Sequence, residues 1–246
     1  MKQHFFRLTI LALLSSSSLW ADPVSAARVD DDLSTLLQTL LEQSSRSDVP
    51  FRDVVRTVTG HRVLPLQKDL EVDRAVFDAV SGGIAHTILL LNEPDSPTNE
   101  EKRINEVSRH FEVALESYLN ALPDFSCGKP KTQTGTVQSS GYPDLRIVHE
   151  PSGRVTYLDP KLVAEDSLKS TFRTFYYTPR VSTNKILESA HHLLLGIQHN
   201  KQVGSWTFTG WKLVDLHGFH VRLKAEYQGS NRDLYREGLI INQGAP

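Results

Sequence analysis

The chain has almost no cysteine, no excess of basic charge and no long apolar run, and each absence narrows what it can be. Its single cysteine, Cys127, excludes an intramolecular disulfide and any cysteine-based zinc cage; with no partner group in view it reads as a small apolar residue. Formal net charge is −2, so the overall balance announces no nucleic-acid partner, although a local basic cleft can coexist with a mildly acidic whole. The apolar run at residues 8–14 (LTILALL) is far too short to cross a bilayer, and no later segment reads as long enough. Internal repeats are absent, and low complexity is confined to residues 15–18.

What is present is ordinary for a globular protein. Hydrophobic content of 39% over 246 residues supports one sizeable core, or one core with a small helical annex. The first 26 residues read as a secretory signal peptide. Lys2 and Arg7 supply the positive segment, residues 8–14 the apolar centre, and Val24-Ser25-Ala26 a small-residue cleavage site. The expectation is export, to a periplasm or the medium; a chain without a functional leader would instead stay in the cytoplasm.

Beyond the leader, residues 28–47 carry Leu33, Leu36, Leu37, Leu40 and Leu41 at helical spacing. Residues 50–65 predict a short helix ending near Gly60, then an extended piece. Residues 72–91 place Val76, Val80, Ile84 and Ile88 on one stripe, and Gly82-Gly83 predicts a break into two helices. The turn-rich NEPDSPTN at 92–99 is the expected domain seam. Residues 99–122 give the clearest helix, with Ile104, Val107, Phe111, Leu115, Tyr118 and Leu122 on one face. Thr98 and Glu101 are placed for a capping box, and Pro123 stops the helix. Residues 130–140 read as a first strand and 171–177 as an extended aromatic piece. Residues 183–200 read as a second helix with Ile186, Leu187, Ala190, Leu194 and Ile197 inward. Residues 206–216 and 219–227 read as closing strands.

The chemistry concentrates in GYPDLRIVHEPSGRVTYLDPKL, residues 141–162. It reads as a β-hairpin, with strands at 144–150 and 154–162 joined by Pro151-Ser152-Gly153. Asp144 opens the first strand after Pro143, and Asp159 and Lys161 lie two apart near the end of the second. Residues two apart in a strand share a face. Asp144 joins them when the loop holds an even number of residues, or when a bulge restores the phase. Two carboxylates and an ammonium in one place suit metal-assisted phosphodiester hydrolysis.

Pro143-Asp144 followed by Asp159-Pro160-Lys161 resembles the PD-(D/E)XK motif of the restriction-endonuclease-like nuclease superfamily. Pro160 departs from the apolar residue with a free N–H that the family usually carries there. The resemblance implies an α/β fold, a restriction-endonuclease-like αβββαβ core with a central mixed sheet. That core would span 99–246, preceded by a helical N-terminal extension at 27–98 and the signal peptide at 1–26. It implies that Asp144 and Asp159, with the Pro160 carbonyl, hold Mg²⁺ (Mn²⁺ can substitute), and that Lys161 orients or deprotonates the attacking water or stabilises phosphate charge. Superfamily members often carry a glutamate on the first core helix, and Glu112, at the border of the buried stripe, matches it, which implies a catalytic role in binding a second metal or holding a metal-bound water. Arg173, Lys185 and His192 are candidate substrate contacts. The implied partner is nucleic acid, most plausibly DNA, with the oligomeric state open and a homodimer as one option. Two rivals stand beside this reading. One is a non-catalytic module of the same fold that binds nucleic acid or protein. The other is a metal-independent hydrolase such as a glycosidase using paired carboxylates.

Overall fold

A computed structural model describes residues 33–36, 38–39, 42, 48–167, 169–170, 175–224 and 230–242. The expected signal peptide and Arg173 lie outside them. Two compact units divide the chain. The smaller comprises the two ends: residues 33–36, 38–39 and 42 are helical, as their leucine spacing predicts. Its C-terminal part carries a helical turn, Asn231–Leu234, closed by a capping box between Ser230 and Asp233.

The larger unit, Ser47–Arg222, is a mixed α/β sheet. It opens with β1 (Val49–Pro50), α1 (Phe51–Thr59), β2 (Val63–Leu64), α2 (Glu71–Leu91) and α3 (Ile104–Asn120). Then come β3 (Phe125–Gly128), β4 (Leu145–His149), β5 (Arg154–Ala164), β6 (Ala190–His199), β7 (Phe208–Asp215) and β8 (His220–Val221). The main sheet runs β2-β6-β5-β4-β3. β3, β4 and β5 form an antiparallel meander, and β6 lies parallel to β5. The far edge of β6 is shared between β2, parallel at Ala190 and His191, and β7, antiparallel from Leu193 onward.

α1 ends at Gly60, as expected, with φ of 76°, a conformation that glycine adopts without steric cost. α2 is one continuous helix rather than two. Gly82 and Gly83 do not break it; they let α3 approach, and a Cβ on Gly82 would come within 2.9 Å of the Tyr118 hydroxyl. By length and composition α2 could cross a membrane, contrary to the expectation that no segment would. Its inward face instead packs on the sheet: Val76, Val80 and Ile84 share a core with Phe111, Leu115, Leu145, Leu158, Leu193 and Leu195. Residues on both sides of 92–99 therefore contribute to the same core. The start of α3 also differs. It begins at Ile104 without a side-chain cap, and Thr98 lies buried in a preceding 3₁₀ turn capped by Ser96.

Three expectations are corrected. The strand that feeds the hairpin is residues 125–128, while residues 130–140 form a loop pinned by one bridge between Lys131 and Val137. β8 pairs with β1, not with β7. The largest change is at residues 183–200, where the expected second helix is β6. Both faces of β6 are covered, so it carries the near-continuous apolar run of an interior strand, and that run fits a helical stripe equally well.

The second face of the sheet is covered by α1 and by loop residues, with Phe51, Val55, Tyr142, Tyr157 and Ile186 at its centre. A buried polar clamp ties the layers. Asp73 of α2 meets His191 Nε2 at 3.0 Å and accepts the Gln67 N–H, while His191 Nδ1 faces the Leu64 carbonyl at 3.3 Å. Both side chains are fully buried, so Asp73→Ala leaves the His191 ring without its carboxylate partner in the interior and frees the Gln67 N–H. Chemical denaturation is expected to register a loss of about 2–4 kcal/mol; a loss below about 1 kcal/mol would show that water replaces the carboxylate.

Candidate active site

β4 and β5 meet in a register that pairs Leu145 with Leu158 and His149 with Arg154. Four residues, 150–153, therefore lie between the paired ends, the even number that brings Asp144 into phase. One step further along the same register sets Asp144 opposite Asp159. Leu145, Ile147 and Leu158 point into the helix-covered core, so alternation sends Asp144, Asp159 and Lys161 to the opposite face. Lys161 Nζ lies 2.7 Å from Asp159 Oδ2 and 3.4 Å from Asp144 Oδ2. Asp159 is 2% exposed as a side chain, against 17% for Asp144 and 26% for Lys161. The group thus opens to solvent through Asp144 and Lys161, with Asp159 as its floor.

The electrostatics follow from that burial. Asp159 is pushed up to about 7, first by loss of solvent and then by the neighbouring Asp144 carboxylate, with Lys161 pulling the other way. Burial opposes the charge on Lys161, but Asp159 and Asp144 outweigh it and raise its pKa, so the amine is an ammonium at neutral pH. Pro160 is accommodated because β4 pairing stops at Leu158, leaving only β6 beside it.

Glu112, on α3, pairs with Lys129 Nζ at 3.7 Å. Its carboxyl is raised, first by burial and then by Asp144, so it lies within electrostatic reach of the hairpin group without joining it. Among the described residues no three His, Cys, Asp or Glu side chains form a metal cage.

Two expected substrate contacts have other surroundings. His192 is not on a helix but on β6, fully buried, stacked on Tyr142 with ring centroids 5.9 Å apart. Its Nδ1 is 2.8 Å from the Tyr142 hydroxyl, and burial depresses its pKa to about 3, so it is a neutral core residue with no surface for a substrate. Lys185 is also buried, at 2% exposure, and donates to the carbonyls of Gly141 at 2.6 Å and Pro143 at 2.9 Å.

A second group on this face has no local signature. Tyr157 donates to Glu188 Oε2 at 2.6 Å, and Arg146 Nη2 donates to Glu188 Oε1 at 2.6 Å. Arg146 and Tyr157 are cross-strand partners one alternation from Asp144 and Asp159. Glu188 reaches them from the segment before β6, a long-range meeting that no local spacing encodes.

Comparison with known proteins converges on one group. A family model described as the type II restriction enzyme MjaV family matches residues 42–238. The chain is also similar to the type II restriction enzyme MjaV of Methanocaldococcus jannaschii, with 28% identity over 221 residues covering 86% of this chain and 94% of the relative. The matched span contains the whole sheet and the Asp144, Asp159 and Lys161 group.

Proposed function

The chain belongs to the type II restriction enzyme MjaV family, and from that premise we propose that it is an endonuclease hydrolysing DNA phosphodiesters with a divalent cation at the Asp144–Asp159–Lys161 group. The observation that carries this reading is the pairing of two carboxylates across β4 and β5, with one of them buried and raised to about 7. Crowded, desolvated carboxylates are costly unless a proton or a cation joins them. The donor set fits a hard cation: two carboxylates and the Pro160 carbonyl are oxygen ligands, and Mg²⁺ needs only one or two carboxylates when phosphate and water complete its shell. When bound, such a cation supplies Lewis-acid charge to a phosphate oxygen and acidity to a water.

The chain's own residues have distinct tasks. Asp144 and Asp159 hold the negative charge that recruits the cation. Lys161, charged and partly exposed, neutralises charge that develops on the phosphate and orients the attacking water. Glu112 adds field from α3 and can accept a hydrogen bond from a water of the cation's shell. α3, the β3–β4–β5 meander and the parallel β6 follow the restriction-endonuclease-like order of elements; among the described residues between β5 and β6 there is a 3₁₀ turn, Glu165–Ser167, and no α-helix.

The test is cleavage of plasmid and linear DNA by the purified protein in Mg²⁺, Mn²⁺ or EDTA. Cutting is expected in both metals and none in EDTA. A folded protein that cuts nothing under any condition would move the non-catalytic binding module to first place, and cutting that survives chelation would remove the cation from the reading.

A further inference from the structure

We infer that Lys185 is a positioning residue that fixes Asp144 for cation binding, through the two carbonyls of the turn that precedes it. This rests on the nuclease reading above and adds a residue to it. An ammonium has three N–H donors, and Lys185 spends two on the Gly141 and Pro143 carbonyls. Those carbonyls flank Tyr142, so the turn wraps around a single nitrogen, and Asp144 is the next residue in the chain. The other side of the turn is equally fixed. Tyr142 is buried, its hydroxyl meets His192 Nδ1 at 2.8 Å, and its ring packs edge-on against Phe51 and Phe175.

A side chain so enclosed makes no contact with a passing DNA backbone. Burial lowers its pKa, and Asp144, Asp159 and Glu112 oppose that shift, so its charge is felt at the site. A positive group behind the carboxylates, out of reach of the substrate, explains why a lysine stands here and not a neutral donor. It holds the turn and offsets carboxylate repulsion while no cation is bound. Lys161 differs in both respects, being partly exposed and paired directly with the carboxylates.

The experiment compares wild type with Lys185→Met, which keeps the length and loses the donors. Direct Mn²⁺ binding is followed by the free-ion resonance, beside steady-state cleavage and thermal melting. Mn²⁺ affinity is expected to fall about tenfold or more, as for other residues that orient metal ligands, and kcat to fall with it, while KM for DNA stays within about twofold. A folded Lys185→Met with wild-type Mn²⁺ affinity and kcat overturns the assignment and leaves the nuclease reading intact. A raised KM with unchanged Mn²⁺ affinity makes Lys185 a DNA contact and also overturns it. A wild-type protein that neither binds Mn²⁺ nor cuts DNA overturns both. Should Lys185→Met fail to fold, the ¹⁵N resonance of the Lys185 ammonium in the wild type decides. A signal protected from exchange that moves on adding Mg²⁺ supports the positioning role; one that moves with DNA in the absence of metal overturns it.

Discussion

Asp159→Asn is expected to abolish cutting, by about a thousandfold or more in kcat, and at the same time to make the cation-free protein more stable. The first effect follows from removing one of two charged ligands at a centre where each electrostatic partner contributes a large factor. The second follows from linkage. The folded-state pKa of Asp159 is about 7, above the ordinary carboxylate value of 3.8, because burial and Asp144 disfavour its charge. A raised pKa means that its contribution to stability is fully present below the ordinary range and is lost as pH climbs through about 7. At pH 8 the cation-free fold therefore carries a buried charge that Lys161 offsets only in part, costing on the order of 2–4 kcal/mol. The asparagine amide does not carry it.

Thermal melts of the two proteins in EDTA should diverge as pH rises from 5 to 8, with the variant about 5–10 °C higher at pH 8. Added Mg²⁺ should then raise the wild type and leave the variant unmoved. Parallel melts at every pH would remove the electrostatic account of the site, and retained cutting by the variant would remove Asp159 from it. The same linkage makes activity at limiting Mg²⁺ rise with pH through the neutral range, since the cation displaces a proton.

Lys161→Met should separate catalysis from cation binding. Its ammonium is 2.7 Å from Asp159 and 3.4 Å from Asp144, and with its pKa raised by both carboxylates it is a cation and not a free amine at neutral pH. Removing it should lower kcat by about 10²–10³-fold, the scale seen when one charge-stabilising donor is lost. Mn²⁺ should bind at least as tightly as before, because a competing positive charge has gone. Cleavage kinetics beside direct Mn²⁺ titration read both. Loss of Mn²⁺ affinity would mean that Lys161 organises the ligands, and unchanged kcat would mean that the Asp159–Lys161 pair is only an internal ion pair. The contrast with Lys185→Met, where affinity and rate fall together, distinguishes the two lysines.

The hairpin was legible because its information is local. A turn rich in proline and glycine, a period of two, and Asp159 and Lys161 two apart specify strand, return strand and shared face without reference to the rest of the chain. The helices 51–59 and 104–120 were legible for the same reason, each carrying an apolar stripe at helical spacing. The phase of Asp144 needed one more fact, the pairing of His149 with Arg154, since a single-residue slip would send it to the other face.

Residues 190–199 show where local information ends. An interior strand covered on both faces and an inward helix can carry the same apolar residues, and only the pairing of β6 with β2, β5 and β7 chooses between them. That choice sets His192 in an aromatic core on β6, and it places His191 against Asp73. The burial of Lys185 has a related cause. A lysine in a polar stretch is usually solvated, and its two carbonyl partners lie more than forty residues earlier in the chain. Sequence by itself determined which charged groups share one face of the hairpin, because the motif fits within one hairpin. Tertiary structure alone decided which charges are buried, and so which carboxylate is raised and which lysine is enclosed, because desolvation depends on neighbours that folding brings from distant parts of the chain.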